Sequence, residues 1–144
     1  MKRRGQIILS MALTVAMLFS MTGMNTALGT DASELYVGDT DILTAEGYTV
    51  ACGEGRAVFD PATATLTLTN AEITAANRTD FGIFAERLDG LSIVLEGENT
   101  IDGEDIHSGV YVFGELSLSG SGTLHITARP PSAEIAAYGR YCLE

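Results

Sequence analysis

Three aromatic side chains hold the same place in a recurring block of residues. Phe84, Tyr111 and Tyr141 are fourth in Phe81-Gly82-Ile83-Phe84-Ala85, Ser108-Gly109-Val110-Tyr111-Val112 and Tyr138-Gly139-Arg140-Tyr141-Cys142. Placed on neighbouring strands, these rings would stack about 4.8 Å apart. With Ile83, Ala85 and their counterparts facing inward, the aromatic row faces outward. An outward row of rings suits the apolar faces of sugars, and three in succession suit a polymer. The competing reading is that the row is covered, or that the rings stack only to stabilise the fold.

A second set of residues has the chemistry of a cation site. Asp102, Glu104 and Asp105 occupy a polar turn after Ile101, with Glu96 and Glu98 just before it. Calcium takes six to eight oxygen ligands from carboxylates and carbonyls. The spacing matches neither an EF-hand loop nor a Gly-Gly-x-Gly-x-Asp nonapeptide repeat, and an ordinary solvated turn is the favoured reading. For catalysis the repeat region offers Arg78, Arg87, His107 and His125 as bases beside its acids. His107 falls in a turn and His125 at an outward strand position, so nothing in the pattern gathers them in one cleft. The chain is therefore expected not to be an enzyme. A fragment of a polysaccharide-lyase-like protein is the catalytic alternative.

The elements that must position these groups are short strands. The glycines of the three blocks are 27 and 30 residues apart, and two copies are followed by Leu91-x-Ile93-x-Leu95 and Leu116-x-Leu118. A period of 20 to 30 residues, carried by strands with period-two alternation, is that of one coil of a parallel β-helix. The expected fold is all-β, a parallel β-helix of about three rungs. Ile83, Ala85, Leu91, Ile93 and Leu95 are its predicted core, with Val110, Val112, Leu116 and Leu118 stacked on them. Thr65-Leu66-Thr67-Leu68-Thr69 reads as another strand with leucines inward and threonines outward. Asn70 and Asn99 close strands at comparable places and are read as structural, bonding to nearby backbone.

Three regions follow. Residues 1–29 read as a signal peptide: Lys2, Arg3 and Arg4, an apolar stretch from Ile7 to Phe19, then small residues around Ala27-Leu28-Gly29. The apolar stretch is shorter than the roughly 20 residues a membrane span needs. Residues 30–62 form an N-terminal cap region, and 63–144 the repeats. The third block ends at Leu143-Glu144, so the last rung is expected to be truncated before its Leu-x-Leu strand. Arg140 falls there at the inward position held by Ile83 and Val110, where a charge needs a partner.

Beyond the leader, 19 acidic residues stand against 5 basic ones, a formal net charge of −14. Nucleic acid is not an expected partner, because neutralising phosphates takes clustered Lys and Arg. Cys52 and Cys142 are predicted to be separate buried thiols, since they fall at opposite ends of the stack, beyond the Cα separation of about 7 Å that a disulfide tolerates.

The segments Phe59-Asp60-Pro61-Ala62-Thr63-Ala64-Thr65-Leu66-Thr67-Leu68, Leu95-Glu96-Gly97-Glu98-Asn99-Thr100-Ile101 and Leu116-Ser117-Leu118-Ser119-Gly120-Ser121-Gly122-Thr123-Leu124 carry a resemblance. Over residues 57–127 the chain resembles the secreted carbohydrate-binding β-helix domains of clostridial and related Gram-positive bacteria, a group that includes a polygalacturonate-binding surface protein. The resemblance implies a right-handed β-helix and a non-catalytic, calcium-associated module on the cell exterior, binding a polysaccharide of pectic or other type. No calcium ligand carries over by motif. The rival expectation is a structural repeat of a surface adhesin.

Overall fold

Alternation of period two turns into strands that bury one side. In β5 (Thr65–Thr69) Leu66 and Leu68 are fully buried while the threonines between them are half-exposed. In β8 (Leu91–Glu96) Leu91, Ile93 and Leu95 are buried and Ser92 and Val94 are not. The computed structural model describes residues 33–74, 76, 80–103, 106–127, 135–137 and 141–143, all within one compact unit, Asp31–Glu144.

The remaining strands are β1 (Glu34–Val37), β2 (Thr40–Asp41), β3 (Thr49–Cys52), β4 (Gly55–Asp60), β6 (Glu72–Ile73), β7 (Phe81–Glu86), β9 (Glu98–Asp102), β10 (Ser108–Val112), β11 (Leu116–Gly120), β12 (Thr123–Thr127), β13 (Ile135–Ala137) and β14 (Tyr141–Leu143). They form three sheets. The first runs β13-β10-β7-β1-β2, the second β14-β11-β8-β5-β4-β3, and the third β12-β9-β6. A core that includes Leu35, Ile42, Leu68, Ile83, Ile93, Ile101 and Val110 is shared among them.

This architecture overturns the expected right-handed parallel β-helix. The first two sheets are mixed: β1 is antiparallel to both β2 and β7, and β4 to both β3 and β5. Only the third sheet is parallel throughout. The cause is local. Connections of two residues, Gly38-Asp39 and Gly53-Glu54, join β1 to β2 and β3 to β4, and a tight turn can join only antiparallel neighbours. Glycines at φ +59 and +64 open these two turns, a region of backbone space that costs a side-chain-bearing residue. Between β4 and β5, Asp60 builds the reversal: its carboxylate accepts the Ala62 N–H and the Thr63 hydroxyl, each at 2.9 Å.

The repeats themselves do lie side by side. Val110 sits opposite Ile83 and Tyr111 opposite Phe84 in the parallel pair β10–β7, and Leu116 opposite Leu91 in β11–β8. The third copy does not align with the first two on its glycine. Ala136, not Tyr141, is the neighbour of Tyr111, and Tyr141-Cys142-Leu143 runs along Leu116-Ser117-Leu118 in the second sheet. The strand expected to be missing from the last rung is thus β14. Arg140 and the residues of the leader lie outside the described residues.

Two asparagines tie successive strands together, as their positions suggested. Asn99 is fully buried. Its Oδ1 accepts the Ala71 N–H at 2.9 Å, while its Nδ2 donates to the carbonyls of Glu96 and Thr123 at 3.2 and 3.1 Å. Asn70, at φ +48, accepts the Glu98 N–H with its side chain at 3.2 Å. The buried Ala71 N–H would otherwise lack its Asn99 partner.

Candidate functional site: an aromatic face on the first sheet

Side chains on one side of the first sheet come from alternate residues of each strand. On β1 that side carries Glu34 and Tyr36, because Leu35 and Val37 are buried in the core. On β7 it carries Phe84 and Glu86, and on β10 Tyr111. Tyr36 faces Phe84 across the antiparallel pair, and Phe84 faces Tyr111 across the parallel one. Tyr36, Phe84 and Tyr111 therefore form one row across three strands.

The rings confirm a cluster. Phe84 and Tyr111 have centroids 5.5 Å apart and planes inclined by only 8°. Phe81 joins them, 5.7 Å from Phe84 and 4.7 Å from Tyr111. Simple alternation would send Phe81 to the side of Ile83, so its place requires a local departure. Gly82 supplies it: a Cβ there would lie 2.3 Å from Ile101 Cγ2 and 2.9 Å from the Gly109 carbonyl oxygen. The glycine thus occupies the inward place against Ile101 and leaves Phe81 to pack with the outer rings.

Exposure grades across the row. Phe84, flanked on both sides, is only 8% exposed. Tyr36 and Tyr111 are half-buried. Phe113, two residues beyond Tyr111, continues the ladder through its N–H to the Ala85 carbonyl at 2.9 Å, and the residue is 55% exposed. The accessible surface of the cluster is carried by its edges, with Phe84 as the buried centre.

Charged groups border this face. At one end Glu34 stands directly opposite Glu86, and the Arg87 guanidinium lies 3.7 Å from the Glu86 carboxylate. Just before β7 and β10, the His107 imidazole lies 3.7 Å from the Asp80 carboxylate.

The expected site residues meet different outcomes. Phe84 and Tyr111 come together. Tyr141 does not belong with them, since its backbone lies in the second sheet. Asp102 is exposed at the end of β9, while Glu104 and Asp105 lie outside the described residues. Glu96 accepts the Thr69 hydroxyl at 3.0 Å. Among the described residues no three His, Cys, Asp or Glu side chains gather as a metal site would require. His107 precedes β10 in the first sheet and His125 lies on β12 in the third.

Sequence comparison of repeats missed Tyr36, Phe81 and Phe113. Tyr36 is invisible to such a comparison because β1 pairs antiparallel with β7 and so shares no block with it. Phe113 had a signal in the alternation Tyr111-Val112-Phe113. Phe81 had one in the glycine that follows it.

No known protein-family model matches the chain. Neither do any curated proteins or solved structures.

The cysteines are far apart in the fold. Cys52 is a free, buried thiol on β3, at one edge of the second sheet, and Cys142 lies on β14 at the other. Five strand spacings of about 4.8 Å separate those edges by roughly 24 Å, well beyond disulfide reach. Burial pushes the Cys52 thiol pKa up, against a smaller opposing effect of a hydrogen bond with the Ala57 backbone.

Proposed function

We propose that this chain is a secreted or cell-surface module that binds polysaccharide without catalysis, through the outer aromatic face of the first sheet. The observation that carries the reading is the row Tyr36, Phe84 and Tyr111, with the exposed Phe113 just past the end of β10. Sugar rings present apolar C–H faces that pack on aromatic side chains, and a row several strands wide accommodates more than one ring of a polymer. Phe84 serves as the rigid centre that fixes Tyr111, while Tyr111 and Phe113 meet the ligand. Secretion rests on the basic, apolar and small segments of residues 1–29. Calcium has only the family resemblance behind it and plays no part in this reading.

The test is retention of the purified protein on a panel of insoluble plant and bacterial polysaccharides, beside Tyr111→Ala and Phe113→Ala. Retention on at least one polymer, reduced at least about tenfold in either variant with the far-ultraviolet circular dichroism unchanged, is the expected result. A folded protein that no polymer retains, or retention indifferent to both substitutions, overturns it. The second reading is a structural repeat of a surface adhesin, favoured by one observation: Phe84 is 8% exposed and its neighbours pack on it.

A further inference from the structure

We infer that the open edge of β12 takes one extended segment of another polypeptide as a further parallel strand of the third sheet, a segment with aliphatic side chains at two alternate positions. The inference is independent of the aromatic face. It starts from the direction of the β12 backbone groups. The Thr123 N–H donates to the Gly97 carbonyl at 2.8 Å, and Thr123, His125 and Thr127 stand opposite Glu98, Thr100 and Asp102 of β9. Along a strand, successive residues turn their N–H and C=O groups to opposite sides, so Thr123, His125 and Thr127 serve β9. Leu124 and Ile126 turn theirs to the other side, where β12 ends the sheet and has no paired strand among the described residues.

Apolar surface is left over at the same place. Ile73 on β6, Ile101 on β9 and Ile126 on β12 form one column across the sheet. The first two are buried, whereas Ile126 and Leu124 are only half-buried, although both pack against the core. A further strand with aliphatic residues opposite Leu124 and Ile126 would cover them and pair their backbone groups at once. Natural edges are guarded by lysine, proline or a bulge. The strand Thr123-Leu124-His125-Ile126-Thr127 has neither lysine nor proline, and its register with β9 is unbroken.

The surroundings decide the occupant. β13 and β14 extend the first and second sheets one strand beyond β10 and β11, while the third sheet stops at β12. The open edge is therefore recessed by one strand. A second copy pairing its own β12 there by a two-fold rotation would bring its β13 and β14 onto the places of β11 and β10. A single extended segment meets no such obstacle, and the parallel order of the whole third sheet sets its direction.

The probe is a synthetic peptide that copies residues 122–127, capped at both ends and titrated into the protein. Saturable binding is expected. It should weaken at least about tenfold when the leucine and isoleucine of the peptide are replaced by serine. The same loss is expected when the amides of its histidine and last threonine, the donors to the Leu124 and Ile126 carbonyls, are N-methylated. Hydrogen exchange supplies a second readout: the Leu124 and Ile126 amides exchange freely in the protein alone and gain protection with the peptide, whereas the His125 amide is protected in both. Ile126→Pro removes a donor on the open side and none that serves β9, and should weaken the peptide about tenfold with the circular dichroism unchanged. The methylated peptide leaves the protein untouched, so the test survives a proline variant that fails to fold.

No binding, or binding indifferent to N-methylation, overturns the inference. Protection of the Leu124 and Ile126 amides before any peptide is added shows an edge already paired and overturns it too. Protection that rises with protein concentration assigns the edge to a second copy, with the same consequence.

Discussion

The rings of Phe84 and Tyr111 lie nearly parallel, 5.5 Å apart, across the parallel pair β7–β10. That contact joins the two adjacent repeats on their outer side, as Ile83 and Val110 join them on the inner side. The two rings nevertheless differ in what they are asked to do, because Phe84 is buried and Tyr111 only half so.

Phe84→Ala is accordingly expected to act on stability. Removing a buried phenylalanine costs about 3–5 kcal/mol, visible as a lowered midpoint in urea denaturation. Tyr111→Ala should cost less than half of that and act on binding. A Tyr111→Ala loss equal to that of Phe84→Ala would make the row purely structural.

Asn99 makes three hydrogen bonds from a fully buried side chain. Asn99→Ala strands the Ala71 N–H and deprives two carbonyls of a donor, and is expected to cost about 3 kcal/mol. Hydrogen exchange should localise the effect: the Ala71 amide is expected to lose protection more than the amides within β10 do. Uniform loss throughout the unit would contradict a corner role.

Two glycines separate the cost of crowding from that of backbone conformation. Gly82→Ala drives a methyl group into Ile101 and the Gly109 carbonyl, so thermal denaturation should show a loss of at least about 2 kcal/mol. Gly47 has open space around it but sits at φ +60, and Gly47→Ala should cost only about 1 kcal/mol. The opposite ranking would show that the close approach at Gly82 relaxes freely.

Cys52 is expected to resist alkylation in the folded protein at pH 8 and to react at once in denaturant. Its folded pKa lies above the ordinary value of 9.0, so the folded state holds its proton where the unfolded state releases it. Stability is then unaffected by this thiol below pH 9.0 and falls as pH rises past that value through the folded pKa. Cys52→Ala should remove that alkaline decline from a series of urea denaturations between pH 8 and pH 10.5.

Neighbourhoods that depend on period two were legible in the chain itself. Leu66, Leu68, Ile83, Ala85, Leu91, Ile93 and Leu95 are buried as their alternation requires, and the first two repeats pair in the register that their spacing implies. Alternation is set by strand geometry alone, so one face of a strand can be read without knowing what covers it. The turn-closing role of Asn70 and Asn99 was legible for the same reason, since it depends on local position.

Partner choice was not. Whether a strand pairs parallel or antiparallel is decided by the connection and by the edge left open to it, and β1 takes the edge of β7 while β4 takes that of β5. This is why the chain does not form the uniform parallel stack that its repeats suggested, and why Tyr36 enters the aromatic row unannounced. The weak third copy shows the same limit: a shared glycine suggested one alignment, whereas backbone pairing put Ile135–Ala137 on β10 and Tyr141–Leu143 on β11. By itself the sequence determined which side chains face the core and which repeats neighbour each other, because both follow from short-range periodicity. Which rings share a surface depends on hydrogen-bonded edges brought together from distant parts of the chain, and so emerges only in the folded protein.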